Sequence, residues 1–167
     1  MRRIFIVLML LGLSSLISAQ DSEVTEPEAT NFVLENIEGD IVELNEYIGE
    51  GPILISFWAT WCKPCKEELL HVQELLEKYV EKGLTVFAIS TDSEKSVAKV
   101  KPYIKSHNYT FEVLLDTNSE VARSYYVRSV PFTLIIDQAG KVVYQQLGYR
   151  KGDEIKVEEV ISKLIDG

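Results

Sequence analysis

A chain of 167 residues with 46% hydrophobic content can bury one sizeable core and is too short for two ordinary domains. Its 17 basic against 26 acidic residues leave a formal charge of -9, and no basic run is interleaved with aromatics, which argues against nucleic acid and anionic membrane surfaces as partners.

Arg2 and Arg3 form a short basic head, Ile4 to Leu13 an apolar core, and Ser14 to Ala19 a small-residue end, the pattern of a secretory signal peptide over 1-19. The apolar run reaches only to Ile17, short of the ~20 residues that span a bilayer. Cleaved, the protein has no stable membrane span; uncleaved, the segment attaches it to a membrane. Either way the pattern predicts export, to the periplasm in a double-membrane bacterium, where disulfides persist. Residues 20-30, QDSEVTEPEAT, read as a flexible acidic leader.

A single α/β domain is expected over 31-167. Two short apolar runs around Glu38-Gly39-Asp40 predict a β-hairpin. PILISFW, ending at Trp58, is a continuous apolar run suited to a strand covered on both faces. Further strands are expected at 84-90, 110-116 and 132-137, with VVYQQLG as an antiparallel partner after the DQAGK turn. Helical patterns fall near 64-80, 94-106, 120-126 and 153-165. Strands alternating with helices imply a sheet with helices on both sides.

The only cysteines, Cys62 and Cys65, open the first of these helices. At 100° per residue, Cys65, Leu69, Val72, Leu75 and Tyr79 share its apolar face, and Glu68 lies inside that stripe one turn from Cys65. Pro64 is tolerated there because its missing N-H has no intrahelical partner. Cys62 at the helix N-terminus has its thiolate favoured by free N-H groups and the helix dipole, with Lys63 beside it. Cys65, one turn deeper, is suited to resolving a mixed disulfide. A half-buried Glu68 has a raised pKa and can relay a proton to Cys65. The rival readings are a structural disulfide and an exported copper carrier with two thiolate ligands. His71 and His107 read as surface residues and fit no zinc spacing. Trp58 reads as core, and Trp61 as shaping the surface beside Cys62.

The segment FWATWCKPCKEE resembles the active-site segment of the exported TlpA/ResA-like thiol-disulfide oxidoreductases of the thioredoxin superfamily. FVLENIEGDIVEL, GLTVFAISTD and YTFEVLLDTNSEVARSYYVRSVPFTLIIDQAGKVV are similar to the family's hairpin, next strand and C-terminal half. The resemblance implies a thioredoxin fold, with a mixed β-sheet flanked by helices, an N-terminal β-hairpin and an inserted helix. It implies Cys62 as the attacking and Cys65 as the resolving cysteine, Glu68 as the helix glutamate, and Val130-Pro131 as a cis-proline loop. Trp61, Lys63 and Pro64 would then meet the substrate together with that loop. It implies protein thiol or disulfide substrates such as apocytochrome c, a membrane electron donor, and no cofactor or metal beyond the Cys62-Cys65 disulfide. Ser56 stands where cytoplasmic thioredoxins carry a buried aspartate, which moves the proton relay to Glu68. Tyr126 and Ser129 replace glycines, and Phe132 a threonine. A peroxiredoxin is not expected, because Ala59 occupies the place of its active-site threonine.

Overall fold

The computed structural model describes residues 26-167, so the predicted signal peptide and the leader up to Thr25 lie outside the described residues. Seven strands form one mixed sheet: β1 (Val33-Asn36), β2 (Ile41-Glu43), β3 (Ile53-Trp58), β4 (Thr85-Ser90), β5 (Glu112-Leu115), β6 (Phe132-Ile136) and β7 (Val142-Leu147). Their order is β2-β1-β5-β4-β3-β6-β7. β3, β4 and β5 run parallel, while the hairpin and β6-β7 join antiparallel. Parallel neighbours need crossovers, and these are α1 (Lys63-Tyr79) between β3 and β4 and α2 (Val100-His107) between β4 and β5. The remaining helices are α3 (Glu120-Ser124) and α4 (Asp153-Asp166).

All six residues of β3 are buried because both sheet faces are covered. Leu54 and Trp58 face the core beneath α1, α2 and α4, with Val86, Val113 and Ile135. Ile53, Ile55 and Phe57 face the opposite core, closed by α3 and the hairpin through Val121, Tyr125 and Val42. The strand and helix assignments made from the pattern hold, with β5 starting two residues after the expected Thr110 and two helix boundaries also different. α2 starts at Val100 after a 3-10 turn at Val97-Lys99, later than the expected Glu94. Pro102 is the reason: in a helix begun at Glu94 its ring would clash with the carbonyl of residue 98, whereas a start at Val100 puts it in the first turn. α3 stops at Ser124, because Tyr126 takes a left-handed φ of 57° that no helix accommodates. This is the position where the family pattern favours glycine.

The chain is already fixed to the domain within the stretch expected to be leader. The Ala29 N-H donates to the Gly140 carbonyl at 2.8 Å, and the Val142 N-H to the Pro27 carbonyl at 2.8 Å. No described helix is long and apolar enough to cross a membrane.

Candidate active site

β3 delivers the chain to the site. Its last carbonyl, of Trp58, accepts from the Thr91 N-H at 2.9 Å, and the Cys62 N-H then donates back to Ala59 O at 3.0 Å, turning the chain into α1. Cys62 is the N-cap of α1: its Sγ accepts from the Cys65 N-H at 3.2 Å. Pro64 falls in the first turn, where it displaces no hydrogen bond. Cys62 and Cys65 are joined in a disulfide with Cα atoms 5.3 Å apart. Cys62 is 5% exposed and Cys65 fully buried, so the outer sulfur is the one offered to a partner.

The surrounding residues fall largely where the sequence places them. Trp58 is buried, whereas Trp61 is 69% exposed, and Lys63 and Pro64 are exposed beside it. The Val130-Pro131 bond is cis. Val130 packs against the core that contains both cysteines, and with Trp61 it lines one surface depression. Among the described residues, no other backbone group takes up the N-H or C=O of Val130.

Glu68 is more deeply held than a half-buried carboxylate. It is only 6% exposed. Its Oε2 accepts from Ser56 Oγ at 2.8 Å, and its Oε1 from Thr133 Oγ1 at 2.6 Å. Ser56 and Thr133 are direct partners across β3 and β6, so two neighbouring strands present a pair of hydroxyls to one carboxylate. Burial pushes the Glu68 carboxyl above its ordinary pKa of 4.5; the Thr133 and Ser56 hydrogen bonds oppose the rise, and the charge of Asp153 adds to it. A narrow cleft between α1 and α4, bordered by His71, Tyr149 and Asp153, reaches Glu68 with about 10 Å³ inside, room for a single water.

Asp92 is a site residue that the sequence reading missed. Fully buried just beyond β4, it accepts from the Thr60 N-H at 2.7 Å and Thr60 Oγ1 at 2.6 Å, and from Ser90 Oγ at 3.1 Å. It thereby pins the turn that leads into Trp61 and Cys62. Burial acts to raise its pKa, but the donors from Thr60 outweigh this and hold it below the ordinary 3.8. The available signal was the acidic residue closing the apolar run VFAISTD. Replacing Asp92 with alanine leaves the half-buried Thr60 donors without their carboxylate, which costs about 2 kcal/mol. The expected fall in Tm at pH 7 is roughly 5 °C by circular dichroism. A depressed carboxylate stabilises the fold above its unfolded pKa and ceases to do so as pH falls through the folded value, so the gap between wild type and Asp92→Ala closes below about pH 3.8.

Among the described residues, no three His, Cys, Asp or Glu side chains gather as a metal site. His71 pairs with Glu74, and His107 stacks on Tyr109.

Comparison with known proteins agrees with this geometry. Residues 25-145 match the AhpC/TSA family. The thiol-disulfide oxidoreductase ResA of Bacillus thuringiensis is 36% identical over 137 residues, 82% of this chain and 76% of its own. The chain belongs to the TlpA/ResA-like branch of the thioredoxin superfamily. A solved thiol:disulfide interchange protein DsbE from Chlorobium tepidum superposes with a TM-score of 0.77 at 27% identity, over 84% of this chain and 96% of its own. A thioredoxin-like protein from Porphyromonas gingivalis, 36% identical, has a TM-score of 0.69 over 80% of this chain and 89% of its own. This TlpA/ResA-like protein is a thiol-disulfide oxidoreductase, and the thioredoxin fold expected from its sequence is the fold observed.

Proposed function

We propose that Cys62 is the attacking cysteine, Cys65 the resolving one and Glu68 the proton relay, in an exported protein that reduces the disulfides of protein clients. The observation that supports this reading is the graded burial of the pair: an N-cap cysteine that keeps 5% of its surface exposed, a fully buried cysteine behind it, and a buried carboxylate one turn further on.

In the reduced protein the Cys62 thiolate attacks one sulfur of the client disulfide. The Sγ-S bond forms as the client S-S bond breaks, and the departing client thiolate takes a proton from water. Cys65 then loses its proton towards Glu68 and attacks Cys62 Sγ, which expels the second client thiolate. Two electrons pass to the client, and the Cys62-Cys65 disulfide remains. The pair carries those electrons itself, so the reading calls on no further cofactor. Trp61, Lys63 and Pro64 form one side of the client site and Val130-Pro131 the other, where an extended client strand pairs with the free backbone of Val130.

The signal-like pattern of residues 1-19 supports work outside the cytoplasm, with apocytochrome c as a fitting client and a membrane donor restoring the dithiol. The test is the reduction potential of the pair, read by equilibration in defined thiol buffers and counting of alkylated cysteines. A value near roughly -270 mV is expected for a reductant; one near roughly -120 mV would make the protein a disulfide donor instead.

A further inference from the structure

We propose that the face beside the disulfide selects clients whose cysteine is flanked by carboxylates. This rests on the exchange reading above and names the chemistry of its substrate.

The depression that Trp61 and Val130 share has a volume of about 170 Å³, and Arg123 and Arg128 also line it. Trp61 and Val130 are the chain neighbours of Cys62 and Pro131, so the depression adjoins the site where a client cysteine would join Cys62 and is placed to receive a residue beside that cysteine. Both arginines are exposed. Among the described residues, the ion pairs take up lysines and one histidine, and neither arginine belongs to any of them. Arg123 donates from Nη1 to the Asn118 carbonyl at 2.8 Å, which orients the guanidinium without neutralising it.

No carboxylate lines the depression. Acidic residues next to the wall in the chain are turned elsewhere: Asp92, beside Thr91, is buried and accepts from Thr60 and Ser90, Asp116 is buried and accepts from the Val121 and Ala122 N-H groups, and Glu120, exposed on α3, is not part of the wall. Lys63, exposed next to Cys62, adds a third unpaired cation. A chain of formal charge -9 therefore keeps a cationic rim beside the segments that carry Cys62 and Pro131.

That local reversal of sign has two consequences for a client. Acidic residues are steered to the rim against an otherwise repulsive body. Once there, a carboxylate can accept two parallel N-H bonds from a guanidinium, a geometry that lysine cannot offer. The apolar surface of Trp61 and Val130 meanwhile receives the aliphatic part of the same side chains.

The probe is a set of three peptides, identical except that the single cysteine, blocked as a disulfide with 2-mercaptoethanol, is flanked on both sides by glutamate, glutamine or lysine. Reduced protein is mixed in excess with each, and the second-order rate constant of this single turnover is followed by release of the peptide thiol. The glutamate peptide is expected to react about tenfold faster than the lysine peptide at low ionic strength, with the ratio falling towards one in about 0.5 M salt. In the double variant Arg123→Glu/Arg128→Glu the order of the two peptides reverses. Equal rates for all three peptides, or a preference that neither salt nor the double variant alters, would overturn the selection of carboxylates. The salt series on the wild type needs no variant, so a misfolded mutant cannot shelter the idea. Failure to reduce any of the peptides, glutamine included, would overturn the exchange reading itself, an outcome distinct from reduction without preference.

Discussion

On the proposed roles, Cys62→Ser is expected to abolish reduction of a disulfide client, with turnover falling by about three orders of magnitude or more, and Cys65→Ser to stop at the mixed disulfide. The difference follows from burial. Cys62 caps α1 and is the sulfur a client can touch, whereas Cys65 is sealed beneath it. In that proposal, removing Cys62 takes away the nucleophile, and the fully buried Cys65 is not placed to substitute for it. Removing Cys65 leaves the nucleophile in place but nothing to break the Cys62-client bond. A non-reducing gel of the Cys65→Ser protein with a client should therefore show a covalent adduct that dithiothreitol dissolves. Retained turnover in Cys62→Ser with loss in Cys65→Ser would reverse the two roles.

Glu68→Gln is expected to lower turnover at pH 7 by about 10²-fold and to remove a pH dependence from the alkylation of Cys65 in the reduced protein. Glutamine preserves the size of the side chain, and the Ser56 and Thr133 hydroxyls can rotate to accept from its amide, so the loss reports on the proton rather than on packing. The same substitution changes stability in a definite direction. The Glu68 pKa is raised in the folded state, chiefly by burial. Its favourable contribution is complete below the unfolded value of about 4.5 and is lost as pH rises through the folded pKa, where a charge must be kept in the core. Thermal melts should therefore show Glu68→Gln gaining on the wild type as pH increases from 4 to 8. Parallel melting curves across that range, with an unchanged alkylation profile, would sink the relay.

Much of the site was legible because chemistry and periodicity coincide. The apolar run before Cys62 could only be a covered strand, Pro64 is acceptable only near a helix start, and the 100° wheel put Cys65 and Glu68 on one buried face; the structure has each of these features. What escaped was the pairing of distant strands. Ser56 was noticed only for the aspartate it replaces, and Thr133 not at all, although each interrupts an apolar run at the same parity as Leu54 or Ile135. Their partnership with Glu68 depends on the β3-β6 register, which no local pattern encodes. Asp92 was hidden in the same way, since its partner Thr60 lies 32 residues earlier. Helix ends were missed where one residue vetoed the pattern, Pro102 for α2 and Tyr126 for α3.

The strand-like pairing of Glu28 with Lys141 fixes which way the enzyme points. β6 runs antiparallel to β3, with Phe132 beside Phe57 and Ile136 beside Ile53, so the turn before Lys141 lies at the opposite pole of the sheet from Cys62. The length of β3 separates the two, on the order of 17 Å for its six residues. The described chain therefore enters the domain, at Pro27 to Ala29, from the back of the molecule. Entry and disulfide thus occupy opposite poles, so the start of the domain leaves the approach of a protein thiol to Cys62 unobstructed.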